Sequence, residues 1–188
     1  FLSCKLFSYD GPQKFPMAAV CEFVHTASLL HDDVIDNSTT RRHRPTTNSI
    51  WGDEAAVLMG DLIYARASEM MAETSNLPIV SAFARAIRLM SESELLQLEY
   101  LFSPDIPEEA YFRILHGKTA VLIGAACKCA GLLGNATTPQ LLAIEAFGQK
   151  IGTAFQIVDD ALDFLGDSSI LGKTKYLGLE DKRKILKL

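Results

Sequence analysis

The chain has 188 residues, 48% of them hydrophobic and 22% charged, with a formal net charge of −5. This balance fits one globular domain with a sizeable core and excludes a disordered chain, and the acidic excess argues against general nucleic-acid binding. No apolar run is long enough to span a membrane, which takes about 18 residues or more.

In chain order, residues 1–15 are a short apolar start interrupted by a turn signal, Tyr9-Asp10-Gly11-Pro12. A helix is expected from about Pro16 to Asp36. Residues 37–52, polar and basic with Pro45 and Gly52, read as a loop. A helix rich in Ala, Leu and Met follows over 53–73, with Asp53 and Glu54 suiting its first turn. Asn76-Leu77-Pro78 breaks the chain and starts a longer helix to about Leu101. Residues 103–107 are a second break, and Pro107 with Glu108 and Glu109 opens a helix to about Ala130. After a loop over 131–137, Thr138 as N-cap and Pro139 at the first helical position start a helix to about Leu165. No segment alternates with period two, so no strands are expected. The pattern predicts an all-α, antiparallel helical bundle in a single domain.

The chain is organised around Glu22–Asp36, which contains no Gly or Pro and is mostly apolar until it meets Asp32, Asp33 and Asp36. Asp32 and Asp36 share a helix face, about 6 Å apart along the axis. Like charges at that spacing repel, and a cation between them turns the cost into binding. Carboxylates without Cys or paired His partners suit a hard ion such as Mg²⁺. Arg41 and Arg42 follow at once, and acid followed by base points to a metal-bound anion, with diphosphate the natural candidate. The same Asp-Asp-x-x-Asp spacing returns far down the chain at Asp159, Asp160 and Asp163, again after an apolar run. One copy is a weak signal; two with identical spacing are a strong one.

His31 beside the first triplet suits packing or support better than ligation, because a hard-ion site does not need imidazole. The four cysteines form no C-x-x-C pair, and buried free thiols in a reducing compartment are expected. Gly148 and Gly152 share a face of the last helix, which fits either close helix packing or room for a substrate.

His25 to Asp36, Arg41-Arg42, Gly60-Asp61, Lys118-Thr119, Gly152 to Asp163 and Gly172-Lys173 stand in the order of motifs in the trans-isoprenyl (polyprenyl) diphosphate synthases, and the chain resembles that family over nearly its whole length. The long-chain branch that makes octaprenyl-, heptaprenyl- and decaprenyl-type precursors of quinone side chains looks nearest. The resemblance implies an isoprenoid-synthase-like bundle around a central cavity. It also implies head-to-tail condensation of isopentenyl diphosphate with an allylic diphosphate, to a long-chain all-trans polyprenyl diphosphate. Mg²⁺, as three ions with diphosphate bound, would be held by Asp32, Asp33 and Asp36 on one wall and Asp159, Asp160 and Asp163 on the other. Arg41, Lys118 and Lys173 would contact the allylic diphosphate, and His25 and Arg42 the isopentenyl diphosphate. Thr119 and Gln156 would lie at the reacting centre.

Small residues below the first triplet, Ala27 and Ser28, with the medium-sized Val24 one turn further down, leave no visible plug. A product of about C30 to C50 is therefore expected, with Met59 and Ile63 candidates for the opposite wall. A homodimer is expected through the 53–73 and 77–101 helices, in the cytoplasm, or in an organelle if a leader has been removed. The family's basic Gly-Lys-x-x-Arg-Pro segment is missing ahead of residue 16, and its Asp-Leu-x-x-Gly-Lys segment is not recognisable after Gly172-Lys173. One isoprenoid-synthase-like domain over 1–188, incomplete at both ends, is therefore expected. Alternatives are a short-chain synthase making roughly C15–C20 products, a terpene cyclase, and a non-catalytic subunit of a heteromeric synthase. The symmetric second motif argues against the cyclase, and the six intact acids argue against the non-catalytic subunit.

Overall fold

The computed structural model describes residues 1–100 and 105–165, with side chains through Leu162. Its elements, in order, are α1 (Leu2–Leu6), α2 (Lys14–Ile35), β1 (Thr40–Arg41), β2 (Arg44–Pro45), α3 (Thr47–Trp51), α4 (Asp53–Glu73), α5 (Leu77–Glu99), α6 (Glu108–Leu115), a π-helical turn (His116–Ala120), α7 (Val121–Leu133) and α8 (Thr138–Leu165). The fold is all-α, as the helical periodicities require.

Helix starts follow the local chemistry. Asn76 caps α5, its side-chain oxygen accepting from the Ile79 N–H at 3.3 Å, with Pro78 in the first turn. For α8 the cap falls one residue earlier than Thr138. The Thr137 carbonyl accepts from the Leu141 N–H, and the Gln140 side chain accepts from both the N–H and the hydroxyl of Thr137.

The core lies between α2, α4, α5 and α7. Val20 and Val24 of α2 meet Ala67 and Met71 of α4, Ile79 and Phe83 of α5, and Val121 and Cys129 of α7. Burying a side chain of this size contributes about 1.5–3 kcal/mol. α8 packs against α7, with Lys128 and Glu145 paired at 2.7 Å across the seam. The glycines on α8 serve that contact. A Cβ on Gly152 would lie 2.5 Å from the Ala120 Cα, and one on Gly148 would lie 2.9 Å from the Ile123 carbonyl oxygen. Close helix packing is therefore their role. A cavity of about 560 Å³ opens between α5, α6, the π turn and α8; Ser93, His116 and Thr153 help line it, and among the described residues no acid of either row does.

The structure departs from the expected elements in five places. Residues 1–15 contain the short helix α1, and α5 ends at Glu99 instead of Leu101. The expected loop over 37–52 holds the short helix α3 and a two-stranded ladder pairing Thr40 with Pro45 and Arg41 with Arg44. Strands of two residues are too short to show an alternating pattern. Their connection is Arg42-His43, both at positive φ (50° and 63°), the backbone of a tight turn matched to the twist of a hairpin. Finally, the expected helix over 108–130 is interrupted by the π turn and runs on to Leu133.

Candidate active site

Asp32, Asp33 and Asp36 stand at the C-terminal end of α2, where the last turn has no basic residue. The helix dipole is negative there, so three carboxylates raise the local energy until a cation arrives. Their environments differ. Asp33 is buried, and the Arg41 guanidinium holds its Oδ1 through Nε at 2.9 Å and Nη2 at 2.8 Å. The hairpin delivers Arg41 to that position. Asn48 adds a bond from Nδ2 to the Asp33 carbonyl at 3.2 Å, closing the end of α2. Asp32 and Asp36 make no side-chain hydrogen bond or ion pair among the described residues. Burial pushes the Asp32 carboxyl up to about 6; Lys118 and Arg41 oppose the shift, and Glu94 and Asp36 reinforce it.

The π turn carries Lys118 and Thr119. A π turn inserts a residue into the helical ladder and re-aims the side chains around it, a feature frequent at functional sites. Lys118 Nζ lies 3.1 Å from Glu94 Oε1 and donates to Gln97 Oε1 at 3.3 Å. Burial works against the charge on Lys118, but Glu94, Asp32 and Asp36 outweigh it and raise its pKa. The Thr119 hydroxyl donates to Gln156 Oε1, and Gln156 Nε2 donates to Asp160 Oδ1 at 3.0 Å. The Tyr111 hydroxyl donates to Asp160 Oδ2, also at 3.0 Å. Burial and the neighbouring Asp160 carboxylate push that phenol up to about 12.

One five-residue turn thus touches both acidic rows, the first through the charge of Lys118 and the second through Thr119 and Gln156. In each row the middle acid is held by internal donors, while Asp32, Asp36 and Asp159 have no side-chain hydrogen bond among the described residues. The backbone of α8 carries Asp163 one turn beyond Asp159; its side chain, like Lys173, lies outside the described residues.

His25 sits near the two arginines of the hairpin. Partial burial of its ring, with Arg42 and Arg41 nearby, lowers its pKa below the usual imidazole value. His31 links α2 to α4: its Nε2 is 3.2 Å from the Val57 carbonyl oxygen and 3.4 Å from Asp61 Oδ1, and its ring stands 5.7 Å from that of Tyr64. Gly60 leaves room for that ring, since a Cβ there would lie 2.3 Å from His31 Nε2. Val24 and Ala27 expose no surface at all. Ser28 is half-buried, its hydroxyl donating to the His25 carbonyl at 2.8 Å. Met59 is exposed and Ile63 half-buried.

Sequence reasoning missed Glu94, Gln97 and Tyr111. A signal for each exists. Glu94 and Gln97 are three apart within an otherwise apolar Leu95, Leu96, Leu98 run, and Tyr111 is seven residues before Lys118, about two helical turns away.

Carboxylate oxygens from Asp32, Asp36 and Asp159 suit a hard divalent ion. Among the described residues no three His, Cys, Asp or Glu side chains are grouped to hold an ion by themselves.

This architecture is the all-α isoprenoid synthase fold, with two acidic rows meeting at a lysine-bearing turn. The chain matches the family model described as polyprenyl synthetase over residues 1–183 and belongs to the polyprenyl synthetase family. It is 40% identical over 187 residues to the octaprenyl diphosphate synthase of Escherichia coli (strain K12), covering 100% of this chain and 58% of that protein. The crystal structure of a decaprenyl diphosphate synthase from Rhodobacter capsulatus superposes with a TM-score of 0.85 at 42% identity, over 89% of this chain and 51% of that one. A polyprenyl synthase from Caulobacter crescentus CB15, complexed with calcium and isoprenyl diphosphate, superposes with a TM-score of 0.89 at 37% identity, over 93% and 53%. The chain therefore spans between half and three-fifths of the length of these relatives.

Proposed function

We propose that this protein is a trans-prenyltransferase that condenses isopentenyl diphosphate with an allylic diphosphate to give a long-chain all-trans polyprenyl diphosphate. The observation that carries the reading is the convergence of both acidic rows on the Lys118-Thr119 turn. The names of the octaprenyl and decaprenyl relatives support the long product.

The difficult step is departure of diphosphate from the allylic carbon, because negative charge accumulates on the leaving oxygens. Mg²⁺ ions, which the free carboxylates would hold with the diphosphate, would supply charge stabilisation to that group. Asp32, Asp36, Asp159 and Asp163 are the proposed ligands, with Asp33 and Asp160 in the same rows. Lys118 adds its ammonium to the leaving group. Arg41 holds Asp33 through Nε and Nη2, which leaves Nη1 for phosphate oxygens. Arg42 and His25 are assigned to the second diphosphate, and Lys173 to the allylic one. The oxygens of Thr119 and Gln156 face the carbon that becomes positive. The double bond of isopentenyl diphosphate attacks that carbon, and the released diphosphate accepts the proton then lost.

The protein is proposed to act as a homodimer, since Val57, Leu58, Met59 and Leu62 of α4 and Leu95 of α5 expose large apolar side chains. Four free cysteines suit the reducing cytoplasm. Among the described residues no helix is long and apolar enough to cross a membrane.

The test uses the full-length protein with labelled isopentenyl diphosphate, an allylic primer and Mg²⁺, with products separated by chromatography. Elongated products are expected. Asp32→Ala and Asp159→Ala should each lower turnover by several orders of magnitude. Near-wild-type turnover in either folded variant would defeat the assignment.

A further inference from the structure

The Tyr111 hydroxyl has a partner across the bundle. It comes from α6, ahead of the π turn, and donates at 3.0 Å to Asp160 Oδ2 on α8, 49 residues away in sequence. The other oxygen of the same carboxylate accepts from Gln156, which in turn accepts from Thr119. The four side chains form one chain of hydrogen bonds running from α6 through α8 to the π turn. Tyr111 is otherwise an apolar core residue, packed with Ile106, Ala110, Ile114 and Leu115 and 9% exposed. Its hydroxyl therefore has one task that its ring does not.

We propose that Tyr111 is a positioning residue for the second acidic row: its hydroxyl fixes the Asp160 carboxylate, and through it the rotamers of Gln156 and the orientation of Asp159 toward a divalent ion. Two bonds, one on each oxygen, restrain the Asp160 carboxylate. Arg41 gives the middle acid of the first row the same restraint through Asp33. Each row is thus braced at its centre by a donor from a different element, and the flanking acids stay available. Donors that orient ligands from behind in this way govern metal affinity, and their loss typically weakens it 10–100-fold. The proposal rests on the reading of Asp159–Asp163 as a metal-binding row.

The experiment titrates the full-length protein with Mn²⁺ in the presence of inorganic diphosphate, followed by electron paramagnetic resonance. Wild type, Tyr111→Phe, Asp160→Asn, Asp159→Ala and the Tyr111→Phe/Asp160→Asn double variant are compared, alongside the Mg²⁺ concentration for half-maximal turnover. Tyr111→Phe keeps the ring and its packing. About tenfold weaker Mn²⁺ binding is expected, with a matching rise in the Mg²⁺ requirement and turnover recovered at saturating Mg²⁺. In the Asp160→Asn background the Phe substitution should add less than twofold, because Tyr111 acts through Asp160.

Unchanged Mn²⁺ affinity in Tyr111→Phe, while Asp159→Ala weakens it, overturns the proposal and leaves the metal reading standing. Equal losses in both backgrounds overturn it too, since Tyr111 would then act independently of Asp160. A Tyr111→Phe protein that loses its helical circular dichroism assigns the hydroxyl to the fold and also overturns it. A wild type that binds no Mn²⁺ with diphosphate sinks the metal reading and this inference together.

Discussion

Lys118 Nζ lies 3.1 Å from Glu94 Oε1, and the same ammonium faces Asp32 and Asp36 across the site. One cation on the π turn is thus shared among acids of α2 and α5. Removing it leaves several carboxylates uncompensated, whereas removing Glu94 leaves Lys118 its bond to Gln97 and the more distant charges of Asp32 and Asp36. Lys118→Met should therefore destabilise the metal-free protein by about 1–3 kcal/mol, below the full cost of breaking a buried pair because both side chains are partly solvated. Glu94→Gln should cost less than half of that. Urea unfolding of the two variants gives the ranking, and a larger loss for Glu94→Gln would contradict it.

Asp32 predicts a pH dependence. Its folded pKa, about 6, lies above the ordinary carboxylate value of 3.8. The folded state then holds the proton more tightly than the unfolded state. The associated stability is fully present below about pH 4 and is lost as pH rises through 6. In metal-free protein the loss should be about 1–2 kcal/mol after solvent screening. Asp32→Asn should flatten the profile between pH 4.5 and 7 in thermal melts; an unchanged slope would assign the effect elsewhere.

Product length should respond at Ser28 more than at Ala27. Ser28 is half-buried on the face of Asp32, whereas Ala27 has no exposed surface. An aromatic at 28 can narrow a channel beside the helix, and one at 27 must displace packed neighbours. Ser28→Phe is expected to remain active and accumulate products of roughly C15–C20. Ala27→Tyr is expected to lose about 1–3 kcal/mol of stability by overpacking. Chromatography of products and melting curves read the two outcomes; a long product from active Ser28→Phe enzyme would move the tunnel wall elsewhere.

Gly152→Ala should reverse the usual sign of a helix substitution. Replacing a helical Gly by Ala ordinarily gains about 1 kcal/mol. At Gly152 the new methyl would lie 2.5 Å from the Ala120 Cα, a backbone atom that cannot swing aside. A net loss of about 1–2 kcal/mol is expected in chemical denaturation, together with reduced activity because the π turn carrying Lys118 begins to shift. A gain in stability would show that α8 yields easily.

The apolar surface of α4 predicts a dimer. Leu58 and Leu62 are 67% and 63% exposed, one turn apart on the same face. Light scattering of full-length protein at micromolar concentration should give twice the chain mass, and Leu58→Glu/Leu62→Glu should return it to the chain mass. A monomeric wild type would count against the interface.

Short-range information sufficed for the long helices and for both acidic rows. Helical periodicity, Asn76 with Pro78 at a helix start, and Asp-Asp-x-x-Asp spacing all act within a few residues, so the sequence alone carries them. The two rows could be paired from sequence because their spacing repeats. That Asp32 and Asp36 suit a cation was legible from their shared helix face; what holds the middle acid of each row was not. Asp33 is held by Arg41 eight residues away, and Asp160 by Tyr111 forty-nine residues away. Those bonds depend on where a two-residue hairpin and a helix from the other side of the bundle arrive. The π turn was invisible for the same reason: His116–Ala120 has no unusual local sequence. Glycines 148 and 152 fitted two explanations until the Ala120 backbone was seen against them. Local propensity set the helices of this protein, and long-range packing decided which of its charges meet and which stay open to an ion.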